Sequence, residues 1–494
     1  MTTHTAIITG LAIYAVLMLG VSLYFTLRVK NPADYLVAGR GRPAIVLVGA
    51  AMGMCIGTGV IIGATGLAYQ HGWAGNAYPL GIGLGTLITG LLFAGMRRHQ
   101  FMTLSEEIAC YYGNNRAVVE FSNISLFLSQ VCWLTVQILG GAALLGAATG
   151  LPRQACLLLA GLITAGYSIP GGVKAVVYIN FLQMIMVLAG FSLLVCTALA
   201  NSGGLGGLTQ AIPPERLSLL GVDSYGAWKV FGLMLVLVLS DIADPGRRLA
   251  MFTARSTRGA RTAMVTAGVI VAVFSVSIGV IGMYAFKLNP DLPATKADQA
   301  LPWLVMNILP PWLAAVMVVA IVCGVFSAAN SNAIGVSTFF ARHIFPLLTG
   351  RFPRRPVLTA RLALAAAFVV ATSIGLFTSD IVGFVVKFLS VTMSGLAVII
   401  LGGFFWKRAT WQGALAALIT TPAVSLALMF VPAAAGSRNA LLATPVIPSF
   451  IAGMAALVIA SLLTPRGART FEQVAEQMCN ARQAIENADP ANRD

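Results

Sequence analysis

The sequence predicts an all-α integral membrane protein with about thirteen membrane-crossing helices. Three observations lead there. Of 494 residues, 58% are hydrophobic and only 10% charged, with mean hydropathy +0.86, whereas a soluble domain carries about a quarter of its residues as charges. Apolar runs long enough to cross a bilayer recur along the chain, and every second connection between them is rich in Lys and Arg. Finally, two of these runs are broken at matching places in two halves of the chain, one by glycines and one by Asp244-Pro-Gly246.

In order, Ala6 to Leu27 is the first span; its leader has no Lys or Arg and no small-residue cleavage site follows, so it reads as a retained helix. After a loop with Arg28, Lys30, Arg40 and Arg42 comes the run from Ala44 to Tyr69, in which Gly53 to Gly66 holds five glycines in fourteen residues. Glycine costs about 1 kcal/mol in a helix interior, and hydrocarbon offers no water to an opened backbone. Such a span is tolerated where neighbours pack closely on it, or where it unwinds around a ligand. Asn76 to Met96 crosses back to Arg97-Arg98-His99. The interval with Glu106 and Glu107 reads as an amphipathic surface segment. Val118 to Gly150, Ala155 to Ile169 and Ala175 to Leu199 follow, then a glycine-rich loop to Ser224.

The second half opens at Tyr225 and runs apolar to Ile242, where Asp-Pro-Gly interrupts it. Arg247, Arg248, Arg255, Arg258 and Arg261 then make the most basic loop. Thr262 to Phe286, Pro311 to Ala341, Leu362 to Leu376, Ile381 to Phe405, Gly413 to Phe430 and Pro448 to Leu463 are the remaining spans. The tail from Pro465 reads as a short soluble helix that frays. The basic loops alternate, which puts the N-terminus outside and the C-terminus in the cytoplasm. Five spans counted from Ala44 and five from Tyr225 open with broken segments that cross in opposite directions. That arrangement points to a midplane site in an inverted-repeat transporter.

Other classes fit poorly. The formal charge of +15 is spread over short clusters between apolar spans, so it orients the chain and does not mark a nucleic-acid partner. Cys55, Cys110, Cys132, Cys156, Cys196, Cys323 and Cys479 are scattered without a CxxC, and no His is spaced for zinc. Gly57 to Gly63 lies mid-span and lacks a following Lys, which excludes a phosphate loop. No nucleophile–base pair is evident, so no enzyme is expected. A tail of about thirty residues is short for a sensor's output domain, and no polar ring suggests a channel.

Charges inside apolar spans are functional candidates by default. Here they are Asp241 and Lys387, with Asp244 nearer the basic loop. Asp241 and Lys387 either serve a functional site or simply pair with each other as a buried ion pair. Thr58, Asn76, Gln130, Gln137 and Ser240 are uncharged groups suited to line a polar cavity, or to bond a neighbouring helix.

Several segments resemble the sodium:solute symporter family. Gly63-Ala-Thr-Gly-Leu-Ala-Tyr-Gln-His-Gly72 is similar to its first core helix, and Pro170-Gly-Gly-Val-Lys174 through Gln183 to the entry of its fifth. Ser327-Ala-Ala-Asn-Ser331 to Phe345 resembles the eighth, and Gly402-Gly-Phe-Phe-Trp-Lys-Arg-Ala-Thr-Trp-Gln-Gly-Ala414 is the most specific match. The resemblance covers Ala6 to Leu463 and implies a five-plus-five inverted-repeat, LeuT-like core with one helix before it and two after. It also implies that Asp241 lines the substrate cavity with Lys387 close to it, a pair of opposite charges that suits a small zwitterion or polar acid, and a sodium site of carbonyls from Gly53, Ile56 and Gly324 with the Ser327 hydroxyl. A second hydroxyl is missing at Ala328, and Asn180 and Asn330 stand where relatives often carry Asp. A weak sodium site, or proton coupling through Asp241 and Asp244, is therefore expected. The domains read as residues 1–43, an extra helix and loop; 44–224, the first repeat; 225–410, the second; 411–464, two further helices; and 465–494, a cytoplasmic tail. The expectation is a secondary active transporter of a small polar solute across the cytoplasmic membrane. Its alternatives are a sodium-independent carrier of the same fold or a membrane sensor.

Overall fold

The computed structural model describes residues 3–26, 43–168, 173–378, 380–430, 444–465 and 470–488. The basic loop from Arg28 to Arg42, the Pro170-Gly-Gly172 turn and the expected fraying end of the tail lie outside them. Among the described residues the chain is helical throughout, with no strand.

The first half comprises α1 (Thr3–Thr26), α2 (Ala44–Cys55), α3 (Ala64–His71), α4 (Ala77–Phe93), α5 (Leu104–Tyr111), α6 (Arg116–Thr149), α7 (Arg153–Ser168) and α8 (Val173–Ser202). The second comprises α9 (Ala227–Ile242), α10 (Pro245–Phe252), α11 (Thr257–Leu288), α12 (Ala300–Asn307), α13 (Pro311–Phe339), α14 (Pro356–Leu376), α15 (Ile381–Thr392) and α16 (Ser394–Phe405). Then come α17 (Trp411–Phe430), α18 (Val446–Leu463) and α19 (Phe471–Ala488). Starts follow local chemistry. Asn115 caps α6, accepting from the amides of Ala117 and Val118, and Ser256 and Asp380 cap α11 and α15 in the same way.

Both expected interruptions are present. After α2 the backbone leaves the helix at Ile56 (φ −96°, ψ 74°) and resumes through a π-helical turn, Gly59–Gly63. Between α9 and α10, Asp244 is an N-cap whose carboxylate accepts from the amide of Arg247, with Pro245 as the first residue of the new helix. A third bend, of 47°, separates α15 from α16.

Two groups of helices enclose the interior. In one, α4 packs between α9 and α11, and α11 also covers α2 and α3. In the other, α13 packs on α6 and α8, while α6 also meets α7 and α14. By length and apolarity, eight helices among the described residues are able to cross a membrane, or nine with the bent pair α15–α16. The expected thirteen also count the interrupted openers and shorter apolar helices, such as α2, that fall below that length.

Three connections differ from expectation. The connection after α11, which lies between the expected spans Thr262 to Phe286 and Pro311 to Ala341, contains a 3₁₀ turn, Ala294–Gln299, and α12, which pack back on α3 and α6. Arg247 and Arg248 belong to α10 and are buried; they are not part of an exposed loop. Glu107 of the surface segment is wholly buried, because Arg248 reaches it.

Candidate functional site

The two interruptions face each other. Beside the first, the Gln137 side-chain oxygen accepts from the Thr58 amide at 3.0 Å, replacing a bond the broken helix has lost. Gly57 allows this approach: a Cβ there would stand 2.7 Å from that of Ala328 and 3.1 Å from the Gln137 amide. Beside the second, Asp241 sits in the last turn of α9 and Asp244 caps α10. Arg247 bridges them, its Nη2 at 2.7 Å from Asp241 Oδ1 and its Nη1 at 3.3 Å from Asp244 Oδ2. All three side chains are buried. Thr86 donates to the other oxygen of Asp241, and Cys55 Sγ, at the end of α2, lies 3.5 Å from Arg247 Nη2 and 3.3 Å from Thr86 Oγ1.

Between the interruptions is a cavity of about 20 Å³, room for one water-sized molecule. Its lining includes Tyr78, Trp133, Gln137, Asp244, Arg247 and Asn332. The Tyr78 hydroxyl, Trp133 Nε1 and Arg247 Nε have no hydrogen-bond partner. On the far side from Arg247 the connection after α11 closes over α3. Asp298 Oδ2 accepts from the Ile381 amide at 3.1 Å, and the Tyr69 hydroxyl donates to the Asn289 carbonyl at 2.7 Å.

A second polar spot lies where α2, α8 and α13 meet. A Cβ on Gly53 would collide with Ser327 Oγ, and one on Gly324 would lie 3.2 Å from the Ile56 carbonyl oxygen, so the four residues converge. Asn180 donates to Ser331 Oγ at 3.1 Å. Ser327 Oγ and Asn180 Oδ1 are buried without partners. Two neighbouring orphaned oxygens fit a cation or a water better than an apolar seal.

The sequence candidates are divided by this geometry. Gln137 lines the cavity, while Thr58 and Asp241 adjoin it. Ser240 is buried one residue from the triad but is not in the lining. Asn76 packs against Gly279 of α11, and Gln130 against Gly335 of α13, both away from the cavity. Lys387 is exposed on α15 with no ion pair among the described residues, so the expected Asp241–Lys387 pair is not formed; Arg247 takes that place. The sequence reading missed Arg247 because it follows Pro245-Gly246 at the head of a basic stretch. An Asp-Pro N-cap signal places it inside a helix instead.

The chain and its fold have counterparts among known proteins. The model of the sodium:solute symporter family matches residues 35–421. The sodium/pantothenate symporter of Escherichia coli (strain K12) is 24% identical over 430 residues, covering 84% of this chain and 88% of that protein. The sodium/glucose cotransporter of Vibrio parahaemolyticus is 23% identical over 471 residues, covering 85% and 84%. Among solved structures, a Na⁺-coupled sialic acid symporter in a substrate-bound outward-open state superposes with a TM-score of 0.77 at 18% identity. It covers 94% of this chain and 98% of that one.

Proposed function

The chain belongs to the sodium:solute symporter family, and from that premise we propose how its residues divide the work. It is a secondary active symporter of small solutes, carried in a membrane by several apolar helices. We place it in the cytoplasmic membrane with thirteen crossings, N-terminus outside and C-terminus inside. The solute binds between the two helix interruptions. Room for a single water there means that the helices part to admit it, as alternating access requires.

The buried Asp241–Arg247–Asp244 triad carries this reading. When both carboxylates are ionised, one guanidinium leaves one negative charge unmatched, and a buried unmatched charge costs several kcal/mol. An occupant that brings a positive group relieves it. The orphaned donors on Tyr78, Trp133 and Arg247 suit a carboxylate or hydroxyl at the occupant's other end. We therefore assign a small zwitterion as solute, with Arg247 in the role expected of Lys387.

For the coupling ion we assign sodium to the Gly53, Ile56 and Gly324 carbonyls and the Ser327 hydroxyl. The orphaned oxygens of Ser327 and Asn180 support the fit. A hard cation takes about six oxygens, and Ala328 supplies none, so binding is weak. A proton carried by the triad is the second reading, favoured by its unmatched charge.

Uptake into proteoliposomes, with potassium and valinomycin holding the membrane potential at zero, tests both. A panel of labelled amino acids, carboxylates and sugars is offered with and without sodium and pH gradients. We expect sodium-stimulated uptake of a zwitterion that saturates only at high sodium, and that Ala328→Ser with Asn180→Asp lowers the sodium needed. Saturation at low sodium in the parent sinks the weak-site assignment. Uptake driven by the pH gradient alone moves coupling to the triad, and uptake confined to sugars removes the zwitterion.

A further inference from the structure

Arg247 has a neighbour that the transport reading leaves unused. Arg248, the next residue on α10 and about 100° further round the helix, is wholly buried and turned to different partners. Its Nε lies 3.4 Å from Glu107 Oε2, its Nη2 donates to the Ile242 carbonyl at 3.2 Å, and its guanidinium stacks 3.8 Å from the centre of the Phe93 ring. Glu107 is equally buried and accepts from the Tyr111 hydroxyl at 3.0 Å. One guanidinium thus joins the last turn of α9, across the interruption, to α5 and the end of α4.

An eight-residue helix does not hold itself together in isolation, so α10 takes its orientation from such contacts. Others are near: Phe252 packs with Phe101, Cys110, Val474 and Ala475 in a small separate core, and Arg97 Nε donates to the Ala254 carbonyl at 2.7 Å. A buried ion pair adds little stability over an apolar pair of the same shape. What it adds here is direction: it fixes the angle between α9 and α10, and with it the reach of Arg247 to Asp241.

We propose that Glu107 and Arg248 are positioning residues of the transport cycle, a fastening that keeps α10 closed over the cavity and whose release opens the cavity beside Cys55. This rests on reading that cavity as the solute site, but its test needs no solute. Cys55 is buried at the cavity, 3.5 Å from Arg247, and serves as the reporter. The full-length protein in proteoliposomes is exposed to a small water-soluble thiol reagent, and modification at Cys55 is read by mass spectrometry. Glu107→Gln keeps the shape and removes the charge. The double variant Glu107→Met with Arg248→Met replaces the pair by apolar groups and remains foldable where the single variant does not. We expect Cys55 to react on the order of tenfold faster in both, a shift in the open population. The thermal midpoint of the double variant should stay near the parent's. Parental labelling in a folded double variant overturns the proposal. Faster labelling together with a collapsed thermal midpoint also overturns it, because the pair is then only structural. If labelling accelerates while no panel solute is taken up, the fastening stands and the solute assignment fails.

Discussion

Arg247 is shared by two carboxylates that belong to different helices, so removing it exposes each to the other. Breaking a buried pair by deleting one partner costs about 3–5 kcal/mol, since the remaining charge is left without compensation. Arg247→Gln is therefore expected to lower the thermal midpoint of the detergent-solubilised protein markedly. Asp241→Asn in that background should recover part of the loss, because it withdraws one of the two stranded charges. The pair is in contact, so the two effects are strongly non-additive. Equal midpoints for the single and double variants would show that the carboxylates are already hydrated. Gln137 shows the same logic without charge: its amide oxygen serves the Thr58 amide that the interrupted helix cannot satisfy.

Among the elements, the connection from Ala294 to Asn307 packs on α3 and on the π-helical turn Gly59–Gly63 that follows the first interruption. Asp298 ties it to the start of α15 through the Ile381 amide. Burial pushes the Asp298 carboxyl up from 3.8 to about 7; the Ile381 amide opposes the rise and the charge of Asp380 adds to it. A carboxyl raised in the packed state favours packing when protonated. Its contribution is complete below the ordinary value near 3.8 and is lost as pH rises through about 7. Hydrogen exchange in residues 294–307, corrected for its intrinsic pH dependence, should therefore speed up as pH rises from roughly 4 to 7 and level off above that. Asp298→Asn should flatten that response. An unchanged pH response in the Asn variant would assign the effect to another group.

For the whole molecule, the alternation of basic loops sets which connections share a side. Reporter fusions after Arg258 and after Arg355 should both report cytoplasm, and fusions within residues 203–218 should report the exterior. A cytoplasmic signal from the 203–218 loop would contradict the orientation and the inverted count. The packing gives the two groups of helices distinct parts. The pair α4 and α11 braces both interrupted helices, and α6 with α13 supplies Gln137 and Ser327. The tail helix α19, expected as a short soluble helix, is docked by Val474 and Ala475 in the same small core as Phe252 of α10.

The sequence alone determined the membrane-embedded helical class, the order of the spans, and where two of them break. Those features depend on local properties: apolar length, glycine density, and an Asp-Pro pair that caps one helix and ends the one before it. The resemblance in the motifs around Gly63–Gly72 and Gly402–Ala414 extended this to the family. Only the tertiary structure decided which polar groups meet. Asp241 finds Arg247 and leaves Lys387 exposed, Glu107 is buried by Arg248, and Gln137 reaches the interruption while Gln130, two turns earlier on α6, packs on Gly335. The reason is geometric. A side chain's partner is set by the rotation of its helix about its own axis and by neighbours far away in sequence, and neither is written in the pattern of one span.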